Sequence, residues 1–335
     1  MNLLFSCIGK RGYIADFFRR HLAPGDRIIG TGNTHWTPGF RACDAAFLMP
    51  DIVDERYVPE VLALCEREQI DALLSFSDPD VYRLSQVRPL LESRGVVPLI
   101  PAPEVAEIAY DKYHTFQFLS ANGIVTPRTA LTMADARDFA FPVYVKPRRG
   151  SGSRDTFLAR DQRELDAFFN YAPDMIIQER ASGDEFDIEG CGNLDGVPLA
   201  LCTWRKLQSR HGETEAAQTF RDPAVLDFAV RLARLLRVAG PMDIDLIRAD
   251  DAFIVLEVNA RFGGGYPVSH LAGADFPRIL VDVIKGKCPA LDLSFAADVV
   301  MMKQLEIIGG ARERFFARDL RVLGQDVEMA RVGRE

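Results

Sequence analysis

The stretch FIVLEVNARFGGGYP, Phe253 to Pro267, decides how this chain is read. Phe253, Ile254, Val255, Leu256 and Val258 are the β-branched or large apolar residues of a buried strand, yet Glu257 interrupts them and Asn259 and Arg261 follow at strand spacing. A period of two puts these three polar side chains on one face. A carboxylate, an amide and a guanidinium beside a buried strand cost desolvation free energy unless an ionic or strongly hydrogen-bonding group meets them. A metal ion bound to phosphate would do so.

Just upstream, GPMDIDLIR, Gly240 to Arg248, reads as a partner strand with Asp243 and Asp245 also two apart, and ADDA, Ala249 to Ala252, as the hairpin turn. A connection of odd length would set Asp245 opposite Glu257. Two carboxylates so close repel unless a cation sits between them. Mg²⁺ suits the position, being held typically by one or two carboxylates, waters and substrate phosphates. The same residues allow a second reading, with Glu257 and Arg261 as a structural ion pair and Asp243 and Asp245 facing solvent.

The 335 residues are too many for one small core and suggest two or three subdomains. With 48% hydrophobic and 26% charged residues the composition is that of an ordinary globular protein. A net charge of -8 argues against a general affinity for nucleic acid or an anionic membrane. Cys7, Cys43, Cys65, Cys191, Cys202 and Cys288 form no CxxC pair and the histidines show no ligand spacing near them, which argues against zinc and a disulfide scaffold. No apolar run approaches the roughly 20 residues of a membrane span. The start MNLLFSCIGKRGY lacks the apolar core and cleavage site of a signal peptide, so a cytoplasmic location is expected.

From the N-terminus, strands are predicted at Asn2 to Ile8, Ile28 to Thr31, Ala45 to Met49, Ala72 to Phe76 and Val96 to Ile100. Helices fall between them at Tyr13 to His21, Val58 to Glu68 and Asp80 to Ser93. This alternation implies a parallel, Rossmann-like sheet. The turn GKRG, Gly9 to Gly12, lacks the full dinucleotide fingerprint, and no acidic ribose reader follows it, so a structural or acceptor-binding role is favoured over NAD binding. Helices at Glu104 to Ala109 and Asp111 to Asn122 come next, the second carrying Lys112. The strand PVYVKP, Pro142 to Pro147, carries Lys146 and runs into RRGSGSR, Arg148 to Arg154. Two glycines, two serines and three arginines offer flexible backbone, N–H groups and positive charge to a polyphosphate, although a plain turn would read the same. Those arginines are expected to lack a packed partner until phosphates arrive.

A helix at Asp161 to Tyr171 and a strand at Met175 to Gln178 lead into QERASGDEFDIEG, which brings Glu179, Glu185, Asp187 and Glu189 close together in sequence. Such carboxylates can accept from an adenine amino group or ribose hydroxyls, or simply form a solvated face. A hairpin from Glu189 to Trp204 delivers Arg205 and Lys206. Val225, Phe228, Leu232 and Leu235 then mark an amphipathic helix.

Taken in order, DK, VKPRRGSGS, QERASGDEF, RK and LEVNARFGGG resemble the motifs of an ATP-grasp enzyme, and most closely a stand-alone protein similar to the ATP-grasp half of the carbamoyl-phosphate synthase large chain. The resemblance implies an α/β fold, α+β in its second half. A pre-ATP-grasp domain would occupy 1–101, a two-subdomain ATP-grasp domain 102–290 with a lid at about 113–184, and a C-terminal extension 291–335. It implies that Lys112 and Lys146 contact nucleotide phosphates, that Gly150, Ser151, Gly152 and Ser153 form a mobile loop over them, and that Glu179 and Glu185 meet the adenine and the ribose. Asp245, Glu257 and Asn259 would hold two Mg²⁺ or Mn²⁺ ions, and Arg261 and Arg205 would stabilise the phosphoryl group in flight. Such enzymes use ATP to phosphorylate a carboxylate and let an amine or ammonia attack the acyl phosphate. The partners implied are therefore small molecules, with a homodimer as the expected assembly. The sequence departs from the synthases at Asp245, where they resemble one another in carrying glutamine. A bicarbonate or carboxylate kinase subunit of a split synthase, or a nucleotide-binding module without turnover, are the alternatives.

Overall fold

A computed structural model of the chain describes residues 1–150, 152, 154–210, 212–250, 252–307, 309 and 320–322. The expected loop residues Ser151 and Ser153 lie outside them, as does most of the segment beyond 309.

The apolar runs near the N-terminus become β1 (Asn2–Ser6), β2 (Arg27–Gly32), β3 (Ala45–Leu48), β4 (Ala72–Ser75) and β5 (Val97–Pro98). They pair in parallel in the order β3-β2-β1-β4-β5, and Leu320–Val322 pairs with β3. The chain builds outward from β1 in one direction and then returns to β4 on its other side. That reversal opens a crevice at the carboxyl ends of β1 and β4, where open α/β sheets bind ligands. Into it lead the turn before α1 (Gly12–Arg19) and the start of α3 (Asp78–Ser85). The helix expected over Asp80 to Ser93 is two pieces, α3 and α4 (Arg88–Glu92). Pro89 sits in the first turn of α4, where its missing N–H is harmless, whereas inside one continuous helix it would break the ladder.

After α5 (Pro103–Tyr110) and α6 (Lys112–Ala121), a small antiparallel sheet is made of β6 (Thr129–Ala130), β7 (Val143–Pro147), β8 (Phe157–Ala159) and β9 (Met175–Glu179). It has a core of its own, where Val143, Val145 and Ile177 meet Leu165 of α7 (Gln162–Phe169).

The larger antiparallel sheet runs β14-β13-β10-β11-β12-β15. Its strands are β10 (Asp184–Gly192), β11 (Pro198–Arg210), β12 (Glu213–Thr219), β13 (Gly240–Ala249), β14 (Ala252–Asn259) and β15 (Val300–Met302). One face is apolar: Phe186, Ile188, Ile244, Leu246, Val255 and Val258 share a core with Val225, Phe228 and Leu232 of α8 (Pro223–Leu236). Asp222 starts that helix by accepting from the N–H groups of Ala224 and Val225. The opposite face carries the charges. The architecture is thus a parallel α/β unit followed by antiparallel sheets, as the sequence implied. Strands β12 and β15, and helices α9 (Tyr266–Leu271) and α10 (Phe276–Ile284), were not foreseen.

Candidate active site

A bulge puts the two central carboxylates opposite each other. Ala249 pairs with Ala252, so strict alternation would set Asp245 against Leu256. The register instead shifts between Asp245 and Leu246, and Asp245 faces Glu257. The same shift sends Val255 and Val258 to the core, with Glu257 and Asn259 on the other face. On the next strand Asp187 extends the Glu257–Asp245 row, and Glu189 extends the row of Asn259 and Asp243. Five carboxylates and an amide therefore stand on three adjacent strands.

Three cations answer them. Lys112, in the first turn of α6, lies 3.1 Å from Glu257 Oε1 and also donates to Gly150 O at 2.8 Å. Lys206 donates to Asp245 Oδ1 at 2.5 Å and lies 3.3 Å from Asp187 Oδ1. Arg261 reaches Asp78 Oδ1 at 3.1 Å, Asp243 Oδ2 at 3.3 Å and Asn259 Oδ1 at 2.9 Å. Arg261 pairs with Asp78 and Asp243 rather than with Glu257, and Asp243 is buried, so the reading of a Glu257–Arg261 pair with both aspartates in solvent does not describe the molecule.

Burial pushes Asp187 and Glu189 well above the usual carboxylate range, and the neighbouring Asp245 and Asp243 push them further. Asp243 is raised to about 6 by burial and by Asp245. Burial is the largest single effect on Asp245 and would raise it, but the charge and hydrogen bond of Lys206, a hydrogen bond with Asp187 and the charge of Arg261 together outweigh it and hold that carboxylate at about 2. Lys146 is drawn down to about 8, first by removal from water and then by Lys112, with Glu257 opposing.

Lys146 thus joins Lys112 at the carboxylate face, from the small sheet. Gly150 and Gly152 both take positive φ, +136° and +72°, a conformation glycine adopts without strain. The expectation that the arginines of this loop await a partner is corrected for two of them. Arg148 is 2.7 Å from Asp111 Oδ2, and Arg149 is 2.9 Å from Glu107 and 3.0 Å from Asp111. Asp111, fully buried, also caps α6 through the N–H groups of Tyr113 and His114. Glu107, Asp111 and His114 could together offer ligand atoms, but the two arginines already neutralise the acids. Glu179 is held by Arg128, Nε to Oε2 at 2.8 Å. Glu185 is exposed, at the open end of the strand that bears Asp187. Arg205 is exposed too and lies over Phe220 at 5.8 Å. Neighbours on a strand point to opposite faces, so it is Lys206, not Arg205, that stands among the carboxylates.

Asp187, Glu189 and Lys206 were passed over as site residues. Asp187 and Glu189 lay in an acidic run that read equally as a solvated face, and only the β10–β13 register shows that they face Asp245 and Asp243. The donor set fits a divalent cation: hard oxygens, with both oxygens of Asp187 and Oδ1 of Asp243 buried and lacking an aligned donor beside Asp245. The glycines that follow close the floor. A Cβ on Gly263 would overlap Glu189 Oε1, and one on Gly265 would overlap the ring of Trp204.

Residues 109–265 match the sequence profile of the ATP-grasp domain, and residues 3–100 that of the PylC-like N-terminal domain. The chain is 26% identical over 314 residues to a carbamoyl-phosphate synthase of Methanobrevibacter smithii, covering 88% of this chain and 83% of that one. It is 23% identical over 185 residues to the 3-methyl-D-ornithine–L-lysine ligase of Methanosarcina mazei, covering 55% of this chain and 47% of that protein. Among solved structures, an L-amino acid ligase from Bacillus licheniformis superposes with a TM-score of 0.67 at 20% identity, over 85% of this chain and 74% of that one. Among the described residues no helix is long and apolar enough to cross a membrane.

Proposed function

We propose that this chain, which belongs to the ATP-grasp superfamily, uses ATP to convert a carboxylate into an acyl phosphate, releases ADP, and passes the acyl group to an amine or ammonia. The observation that carries the reading is the row Asp187–Asp245–Glu257 with an ammonium at each end, Lys206 on one side and Lys112 on the other. Phosphoryl transfer asks a protein for positioning and charge neutralisation rather than covalent help. This face concentrates both signs of charge for that purpose.

Asp245, Glu257 and Asn259 would hold Mg²⁺ or Mn²⁺, with Asp187 as a further oxygen donor. The bound metal would supply charge neutralisation and in-line orientation of the phosphates. Lys112 and Lys146 would attract the phosphates from the lid side, and Gly150 to Ser153 would cover them. Glu179 and Glu185, at the edge between the small and large sheets, are the candidates for adenine and ribose. Arg261 is fixed by Asp78 and Asn259, so its charge is directed without a search at the moment of reaction. Lys206 takes the place given to Arg205 in the reading of the motifs, as the cation able to exchange an aspartate for a phosphoryl oxygen.

The test is a panel of carboxylic acids with Mg-ATP and hydroxylamine as trapping nucleophile. Acid-dependent ADP and a hydroxamate are expected. AMP with pyrophosphate would mean adenylation and overturn the proposal, and tight nucleotide binding without any product would leave a binding module.

A further inference from the structure

Asp245, Glu257 and Asn259, the proposed metal ligands, each already meet a donor of the protein itself. Lys206 donates to Asp245 Oδ1 at 2.5 Å, and Asn259 Nδ2 donates to Oδ2 of the same carboxylate at 3.2 Å. Glu257 Oε1 has Lys112 at 3.1 Å, and Asn259 Oδ1 accepts from Arg261 at 2.9 Å. The three cations are not equally fixed. Arg261 is also held by Asp78 and Asp243, and Lys112 also donates to Gly150 O, so each keeps a partner when its metal-side contact is given up. Lys206 reaches from β11 across β10 to β13, and the acids it meets there are Asp187 and Asp245, both on the carboxylate row. Asp187 is buried, and neither of its oxygens has an aligned donor.

We propose that Lys206 is the resident counter-ion of the metal site, its ammonium barring a divalent cation from Asp245 until nucleotide phosphates arrive to accept it. The inference rests on the ligase reading and adds the order in which metal and nucleotide enter. An ion on Asp245 Oδ1 would stand against the ammonium, and two cations within about 4 Å repel strongly where water screens poorly. Water does screen poorly here, since the Lys206 and Asp245 side chains are 22% and 23% exposed. Retreat to Asp187 alone leaves the ammonium beside the same ion, because Asp187 and Asp245 face each other on adjacent strands. A polyphosphate changes the balance, since its oxygens accept the ammonium while the freed carboxylate takes the metal. Nucleotide therefore raises metal affinity, and by linkage metal raises nucleotide affinity by the same factor. Replacing the ammonium by an uncharged chain leaves Asp187 and Asp245 opposed without a cation, an arrangement that favours binding one.

The experiment follows free Mn²⁺ by its electron paramagnetic resonance signal in the presence of the whole chain, without any acid substrate, and so stands apart from turnover. Wild type is expected to bind Mn²⁺ at least about tenfold more tightly with ADP than without it. Lys206→Met is expected to bind Mn²⁺ alone at least about tenfold more tightly than wild type does, and to gain less from ADP. Lys206→Met combined with Asp245→Asn restores the charge balance and should lose the gained affinity. Lys285→Met, which removes the same unit of charge from an exposed position, should match wild type. Where the unpaired aspartates weaken the Lys206→Met fold, a melting temperature raised by Mn²⁺ in that variant and not in wild type, both without nucleotide, gives the same answer. The inference is overturned if ADP leaves the wild-type affinity unchanged, if Lys206→Met binds Mn²⁺ no better than wild type, if its gain survives Asp245→Asn, or if Lys285→Met gains as much. Failure of the ligase reading would appear separately, as absence of ADP with every acid tried.

Discussion

Asp245 faces Glu257 across β13 and β14 only because Leu256 is displaced by a bulge. Without it the hairpin would offer one carboxylate and one leucine. The pair is expected to act through its charge. Glu257→Gln keeps the shape and removes a negative donor, so acid-dependent ADP formation should fall by about 10² to 10³, the usual consequence of losing one preorganised electrostatic element. Thermal stability should change little, since a half-buried site carboxylate paired to one lysine is seldom a strong stabiliser. Wild-type rates in Glu257→Gln would remove this residue from the metal site while leaving the family assignment intact.

If Lys146 meets the nucleotide phosphates as proposed, nucleotide binding should depend on pH. Its ammonium is held at about 8 in the empty protein, and a bound polyphosphate favours the charged form. Affinity for ADP should therefore fall as pH rises through about 8, with proton uptake on binding, and Lys146→Arg should flatten the profile. The linkage to folding has the opposite sense. A lysine lowered in the folded state penalises folding below about 8, and that penalty is relieved between about 8 and the unfolded value of 10.5. A pH-independent ADP affinity between 7 and 9.5 in calorimetric titrations, with roughly unit pH steps, would exclude this role.

Much of the fold was legible because burial leaves a local signature. The runs that became β1 to β5 are short, apolar and separated by helical periods, and no other arrangement uses them as well. The row Glu257, Asn259, Arg261 was legible because polar residues inside such a run demand a partner. Asp187 and Glu189 were not, since their meaning depends on a register with β13, more than fifty residues away, that nothing local reports. Choosing Arg205 over Lys206 turned on which of two adjacent basic residues faces inward, a question a run of bases cannot answer. The turn prediction for Asp245 and Glu257 reached the right pairing by the wrong route: a bulge, not an odd loop, does it.

Asp111 ties the helix that bears Lys112 to Arg148 and Arg149 of the loop after β7, and the expected effect is on both stability and binding. It is fully buried, caps α6 immediately before Lys112, and receives Arg148 and Arg149. Asp111→Ala leaves two guanidinium groups short of an acceptor and frays the helix start, for a loss of about 3 to 5 kcal/mol. Burial alone would raise this carboxyl, but the hydrogen bonds from Arg148 hold it below the ordinary aspartate value. Its stabilisation is thus complete above the unfolded value and disappears as pH falls through the lower, folded one. Chemical denaturation of wild type and variant should differ at neutral pH and converge in acid. A constant difference down to the lowest pH would mean that the charge of Asp111 is not what stabilises.

Gly263 tests the floor of the site most directly. Its side-chain space is already taken by the carboxylates of Glu189 and, less closely, Asp243, so Gly263→Ala must displace either the turn or the acids. Overpacking of this kind costs about 1 to 3 kcal/mol, and the displaced turn would also shift Phe262 O, to which Arg11 is bound. Shortening the acid should relieve the worse part of the clash, Asp243 Oδ1 still standing 2.7 Å from the Cβ position: in the Gly263→Ala background, Glu189→Ala is expected to recover part of the lost stability, whereas alone it should not raise it to the same extent. Residues in contact show such non-additivity, of about 0.5 to 3 kcal/mol, in a double-mutant cycle. Denaturant unfolding of the four proteins gives the coupling energy, and additive effects would show that the glycine is needed for its backbone rather than for the room it leaves to Glu189.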